Sequence, residues 1–209
     1  MKVLELFSGS KSITKFFENL PNVEVISLDF EKKYNPDICC DIMEFDYKQY
    51  DVGHFDIVWA SPECKVFSIL QNSLLGRKGG FINKEELIKK QLENSKYILK
   101  TIEIIKYLNP KYYFIENPQY STIWNYIPQE FNIGVNVSYC MFGYDYKKNT
   151  RILTNKVLED CLCKKKNKLN LCNNKNIHNA TIGKFGSQKQ TLLERYSIPQ
   201  DLLKYLFFD

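Results

Sequence analysis

Apolar and polar positions switch repeatedly between strand and helix periods along this chain. Lys2-Val3-Leu4-Glu5-Leu6-Phe7 is mostly apolar and suits a first strand. Ser8-Gly9-Ser10 reads as a tight turn. Ile13, Phe16, Phe17 and Leu20 then recur at helical spacing until Pro21-Asn22 breaks the run. Val23 to Leu28 predicts a second strand ending at Asp29, 37–42 a short third, and Phe55 to Trp59 a fourth. Residues 68–83 are rich in Gly and Lys and read as a mobile loop, of which 71–83, with Arg77 and Lys78, is a candidate lid or a solvated linker. Lys84 to Leu108 predicts a long amphipathic helix stopped by Asn109-Pro110. Tyr112 to Ile115 is a fifth strand, 133–142 is strand-like, and Arg151 to Thr154 is a last short strand. A short C-terminal helix opens after Ser197-Ile198-Pro199 and carries Leu202, Leu203 and Leu206. Alternating strands and helices predict an α/β fold with a parallel, doubly wound sheet and antiparallel strands late.

Residues 156–190 break the pattern. They are rich in Lys, Asn, Cys and Gly, with too few large apolar residues to build a core. The expected organisation is a main domain over 1–155, a small basic Cys/His-rich module over 156–190, and a C-terminal helix within 191–209 that packs on the main domain. Cys161, Cys163, Cys172 and His178 follow C-x-C-x8-C-x5-H. Three thiols and an imidazole make a closed tetrahedral zinc set, and core-poor modules often need metal to fold. The expectation is a structural zinc on these four residues; the alternative is surface thiols in a Lys-rich loop. Cys39, Cys40 and Cys140 are expected to be small buried hydrophobes.

Composition narrows the classes. No apolar stretch approaches the roughly 18 residues needed to span a bilayer. The chain enters a strand at once, without signal-peptide features, so an intracellular location without membrane is expected. Seven cysteines, an odd number, argue against a disulfide framework. The net charge of +5 permits a polyanionic partner. Lys164, Lys165, Lys166, Lys168, Lys175, Lys184 and Lys189 suit phosphate contacts or a merely solvated face. Arginine is confined to Arg77, Arg151 and Arg195, so each one draws scrutiny.

The candidate chemistry lies at strand ends. Phe7-Ser8-Gly9-Ser10 joins a strand to a helix and lets backbone approach a ligand, but lacks phosphate-loop and three-glycine dinucleotide spacing. Asp29 is placed for ribose hydroxyls, with Phe30 beside it and Asp41-Ile42 for an adenine edge. Such a pocket takes an adenosine cofactor without a phosphate clamp, which fits S-adenosylmethionine better than NAD. Ala60-Ser61-Pro62-Glu63-Cys64-Lys65-Val66-Phe67-Ser68 places a cysteine after one strand, and Glu116-Asn117-Pro118 a carboxylate after another.

These motifs, followed by Thr150-Arg151-Ile152, stand in one order, and over residues 1–155 the chain resembles the C5-cytosine DNA methyltransferase family, in particular its short phage or viral members. The resemblance implies a Rossmann-like S-adenosylmethionine-dependent fold with a small Cys/His-rich C-terminal insertion. It implies a cofactor site on Phe7, Ser8, Gly9, Ser10, Asp29, Phe30, Asp41, Ile42 and Pro62. Cys64 matches the nucleophile that adds to cytosine C6, with Lys65 and a cationic cofactor favouring its thiolate. Glu116 matches the residue that contacts N3 and the exocyclic amine, Asn117 the one that orients the loop, and Arg151 the one that contacts O2. The implied partner is duplex DNA with a flipped cytosine; RNA, or a non-catalytic nucleic-acid-binding role, are the alternatives. Three departures stand out: Glu63 where the family has proline, Asn149 where it has a second arginine, and no large recognition domain.

Overall fold

The computed structural model describes residues 1–164, 178 and 196–208. Five strands run parallel: β1 (Lys2–Leu6), β2 (Glu24–Asp29), β3 (Ile38–Cys39), β4 (Ile57–Ala60) and β5 (Tyr112–Pro118). Two more, β6 (Gly134–Ser138) and β7 (Asn149–Thr154), complete one sheet of order β3-β2-β1-β4-β5-β7-β6. β7 is antiparallel to both of its neighbours. This is the α/β arrangement expected from the alternating pattern, with the antiparallel strands late in the chain.

Pleat alternation divides the core between the two faces of the sheet. Leu4, Leu6, Val58, Ala60 and Ile115 face α2 (Lys84–Leu108) and pack with its Ile98, Ile102, Ile105 and Leu108. Val3, Ile57, Trp59 and Phe114 face the opposite way, against Ile13 and Phe17 of α1 (Ser12–Phe17) and Leu202, Leu203 and Leu206 of α3 (Gln200–Phe208). All three leucines are fully buried, each contributing about 1.5–3 kcal/mol by leaving water. Aromatic contacts from Phe16 and Phe17 to Phe207 lock α1 to α3.

Local chemistry sets the ends of the helices. Asn83 caps α2 by accepting from the Glu86 N–H at 2.9 Å, while Glu86 reaches back to the Ile82 N–H at 2.7 Å. Asn109, at φ 45°, ends it in the left-handed region. α1 stops at Phe17, short of the expected Leu20, because Leu20 precedes a proline and Asn22 turns at φ 60°. Its N-terminus has no side-chain cap of its own. Glu5 of β1, 2% exposed, supplies one by accepting from the Ile13 and Thr14 N–H groups.

Three segments differ from the sequence expectation. Residues 68–83 contain a 3-10 helix (Ile69–Leu74), and Leu75 and Phe81 pack on the core. Gly80 is required there, since a Cβ would lie 2.0 Å from the Leu74 carbonyl oxygen. The 133–142 run divides into β6 and a 3-10 turn, Tyr139–Phe142, ending at Gly143 with φ 91°. Residues beyond 155 do not separate at once from the main domain. Cys161 bridges Val137, its N–H donates to the Asn136 carbonyl, and its own carbonyl accepts from Ser138, so this stretch lines the β6 edge.

Candidate active site

Register brings the motifs to one edge. Leu6 pairs with Leu28 and Ala60, and Ala60 with Ile115. The segments after these residues therefore all leave the carboxyl edge of the parallel strands, where ligands bind in open α/β sheets. Because β7 runs the other way, its first residues arrive at the same edge, with Thr150 opposite Pro118 and Arg151 opposite Asn117.

The turn after β1 is held in strained conformations. Phe7 (φ 57°), Gly9 (φ 41°) and Lys11 (φ 54°) all lie in the left-handed region. Asp29 braces the turn, one carboxylate oxygen accepting from the Gly9 N–H at 2.9 Å and the other from the Glu31 N–H at 2.8 Å. A pocket of about 210 Å³ opens beside it, lined by Phe7, Asp29, Phe30, Asp41, Ile42 and Pro62 among others. Six of the nine residues expected to hold cofactor thus share one cavity. Ser8 and Gly9 form the backbone turn next to it, and the buried Ser8 Oγ has no hydrogen-bond partner among the described residues. Ser10 turns away, its hydroxyl meeting Ser12 and the Tyr196 carbonyl. The exposed Phe30 ring (68%) offers a free face for a base, and Asp29 and Ser8 offer polar atoms. These residues fit an adenosine group. Cys40 also lines the pocket, while Cys39 is exposed rather than buried as expected.

The Cys64 loop is clamped at three carbonyls. Asn117 Nδ2 donates to the Pro62 oxygen at 2.8 Å, Gln91 Nε2 to Val66 at 3.1 Å, and the Thr122 N–H to Phe67 at 2.9 Å. Gln91 and Thr122 have no motif in the sequence that would have marked them. Cys64 is half-buried. Burial and then the Glu116 charge push its thiol above the ordinary cysteine value, while Lys148 pulls the other way. Lys65, expected to supply positive charge, is exposed and is not among these influences; the nearby cation is Lys148. Glu63 is exposed, lines the cofactor pocket, and has the smallest of these effects on Cys64.

Glu116, 7% exposed, accepts from the Tyr139 hydroxyl at 3.2 Å and stands 3.5 Å from Lys148 Nζ. Lys148 also lies 4.5 Å from the centre of the Tyr139 ring. Burial and Glu116 hold the Tyr139 hydroxyl protonated, far above the usual tyrosine value. The structure does not bring Arg151 to this group. Arg151 is one pleat out of phase with Glu116, so its guanidinium faces away, 5.6 Å from the Trp124 ring, and donates to the Asn132 carbonyl at 3.3 Å. Lys148 and Tyr139 are the site residues the sequence did not single out. A second lysine in Lys147-Lys148-Asn149-Thr150-Arg151 was the available signal for the first; Tyr139 carried none.

A viral protein, the "Probable DNA (cytosine-5)-methyltransferase" of Frog virus 3 (isolate Goorha), is 36% identical over 159 residues, spanning 74% of this chain and 70% of that protein. The chain belongs to the DNA (cytosine-5)-methyltransferase family. Solved relatives share the fold. The S. pombe Dnmt2 methyltransferase matches with a TM-score of 0.52 at 16% identity, over 76% of this chain and 52% of its own. The Entamoeba histolytica methyltransferase EhMeth matches with a TM-score of 0.53 at 18% identity, over 80% and 57%. The chain thus spans little more than half the length of those solved structures. No protein-family model matches the sequence. The family implies S-adenosylmethionine and a nucleic-acid substrate, and the Asp29–Phe30 pocket and the Cys64–Glu116 corner occupy adjoining parts of one sheet edge.

Proposed function

We propose that this chain transfers a methyl group from S-adenosylmethionine to C5 of cytosine in duplex DNA, with the target base flipped out of the helix. The observation that carries the reading is Cys64 beside a buried Glu116–Tyr139–Lys148 group, at the edge that also holds the Phe30–Asp29–Ile42 pocket.

The cofactor, when bound, supplies an electrophilic methyl group. Asp29, with the turn it braces, would hold the ribose, and Phe30 and Ile42 would hold the adenine. Cytosine C5 is a weak nucleophile until Cys64 Sγ adds to C6, which makes C5 enamine-like. Glu116 meets N3 and the exocyclic amine of the base, and in its protonated form gives its proton to N3, which offsets the negative charge that develops there when C6 is attacked. Tyr139 fixes the Glu116 carboxyl by its hydroxyl, a positioning role. Lys148, rather than Arg151, is the cation within reach of a base held by Glu116, and takes the O2 contact. After transfer, the C5 proton passes to water, its bonding pair re-forms the C5–C6 double bond as the Cys64 thiolate leaves C6, and N3 returns its proton to Glu116. The flipped base costs a few kcal/mol of unstacking, and the 68–83 segment, with Arg77 and Lys78, stands beside the loop as the surface that meets the displaced strand. A DNA substrate implies action inside a cell.

The test is methyl transfer from labelled S-adenosylmethionine to duplex DNA and to tRNA, with a 5-fluorocytosine duplex to trap the Cys64 adduct. Label at C5 of DNA cytosine with a trapped duplex supports the proposal. Label on tRNA alone assigns the substrate to RNA, and tight DNA binding with neither label nor cofactor binding assigns a non-catalytic role.

A further inference from the structure

We infer that Cys140, Cys163 and His178 form a zinc site that ties the Cys/His-rich segment to the wall of the base pocket. The two sulfur atoms and one imidazole nitrogen lie within 4.8 Å of one another. Cys163 Sγ is 3.8 Å from His178 Nε2. Ligand atoms around a tetrahedral zinc, with Zn–S about 2.3 Å and Zn–N about 2.0 Å, sit roughly 3.5–3.8 Å apart. One pair is therefore at ligand spacing, and the group needs only a small contraction. Thiolate and imidazole donors select zinc over magnesium or calcium, which take oxygen ligands.

The surroundings hold the two thiols in place. Cys140 is fully buried and Cys163 is 4% exposed. The Cys163 N–H donates to Ser138 Oγ at 3.0 Å, and its carbonyl accepts from Lys147 Nζ at 2.9 Å. Ser138 Oγ in turn donates to Asn149 Oδ1 at 2.8 Å. This set differs from the one read from spacing. Cys161 pairs through its backbone with β6, and it packs against the apolar cluster that holds Val135 and Val137. Cys140, expected to be a plain core thiol, takes its place. Cys172, expected from the spacing to be a ligand, lies outside the described residues. Cys140 directly follows Tyr139, which bonds Glu116, so a metal here would brace the wall that positions the carboxylate.

The experiment is metal analysis of the full chain by plasma mass spectrometry after exhaustive dialysis, followed by cobalt substitution. The expected result is about one zinc per chain and, with cobalt alone as the probe, the intense visible bands and thiolate charge-transfer absorption of a tetrahedral site. Cys140→Ser and Cys163→Ser should each lower metal content at least about tenfold, while Cys161→Ser retains it. The cobalt spectrum of the unaltered chain needs no variant to fold. No zinc and no tetrahedral cobalt spectrum would overturn the inference. So would metal lost in Cys161→Ser but kept in Cys140→Ser, or an intact mass showing a Cys140–Cys163 disulfide. None of these readouts depends on methyl transfer, so the site and the proposed activity fail separately.

Discussion

The parallel half of the sheet and its antiparallel half build their parts of the site in different ways. On the parallel side, each functional segment directly follows its strand: Phe7–Ser8–Gly9 after β1, Asp29–Phe30 at the end of β2, and Pro62–Glu63–Cys64 after β4. On the antiparallel side, Tyr139 and Lys148 come from the turn after β6 and the approach to β7, and they meet Glu116 on β5, the last parallel strand and the one that pairs with β7. There the pairing register, not proximity in sequence, decides which side chain meets the base. A strand-end motif survives being read as a string, whereas a register-dependent group does not, because one residue of phase moves a side chain to the other face.

The sharpest way to break the comparison begins with its common centre. Cys64→Ser should lower methyl transfer roughly ten-thousand-fold and abolish the 5-fluorocytosine adduct, while calorimetric cofactor binding stays unchanged. A variant that still forms adduct would remove Cys64 from the chemistry, and with it the meeting of the two halves.

Next comes the choice between Lys148 and Arg151. Lys148→Met should cost about 100-fold in turnover, the usual loss for one preorganised charged donor. Arg151→Met should cost only about 1 kcal/mol of stability through its Trp124 packing and little turnover. The reverse ranking would restore the motif reading over the observed register. Alkylation of Cys64 against pH gives an independent measure. Burial and Glu116 raise the thiol, so its reactivity midpoint lies above the ordinary cysteine value. Removing the cation in Lys148→Met moves the midpoint further up, and removing the anion in Glu116→Gln moves it down. Arg151→Met should leave it in place.

Legibility in the sequence follows the same division. The helix over 84–108 was readable to the residue, because a capping Asn83–Glu86 pair and Asn109 mark both ends of a long amphipathic period. That Phe7, Asp29, Phe30, Asp41, Ile42 and Pro62 would line one cavity was readable because they sit at or just after strand ends. The clamps from Gln91 and Thr122 to the Cys64 loop were not, since they lie 25 and 55 residues from the carbonyls they hold. Arg151 was read as a site residue on identity and order, which carry no information on the pleat. Cys140 is buried, as its residue type suggested, and only the fold brings it to Cys163 and His178.

Tyr139→Phe sharpens the antiparallel half more gently. It removes one hydrogen bond to Glu116 and keeps the ring under Lys148. The expected loss is about tenfold in turnover, from a bond to a charged group worth roughly 1.5 kcal/mol. Cofactor KM should not change, because Tyr139 does not line that pocket. A change in cofactor KM without one in turnover would mean that the halves communicate through this residue.

The smallest effect belongs to Glu63, where the two halves adjoin. It lines the cofactor pocket and adds the weakest of the influences that raise the Cys64 thiol. Its exposure leaves the charge largely screened by solvent. Glu63→Gln keeps the shape and removes the charge. The alkylation midpoint should fall slightly, and turnover should rise less than about threefold, the size of an exposed charge effect. A cationic cofactor gains from a carboxylate in its pocket, so cofactor KM should rise by a similar factor, about two- to threefold. A rise in both turnover and cofactor KM would show one carboxylate serving the parallel half at a small cost to the nucleophile. Movement in neither would reduce Glu63 to a solvated residue on the loop.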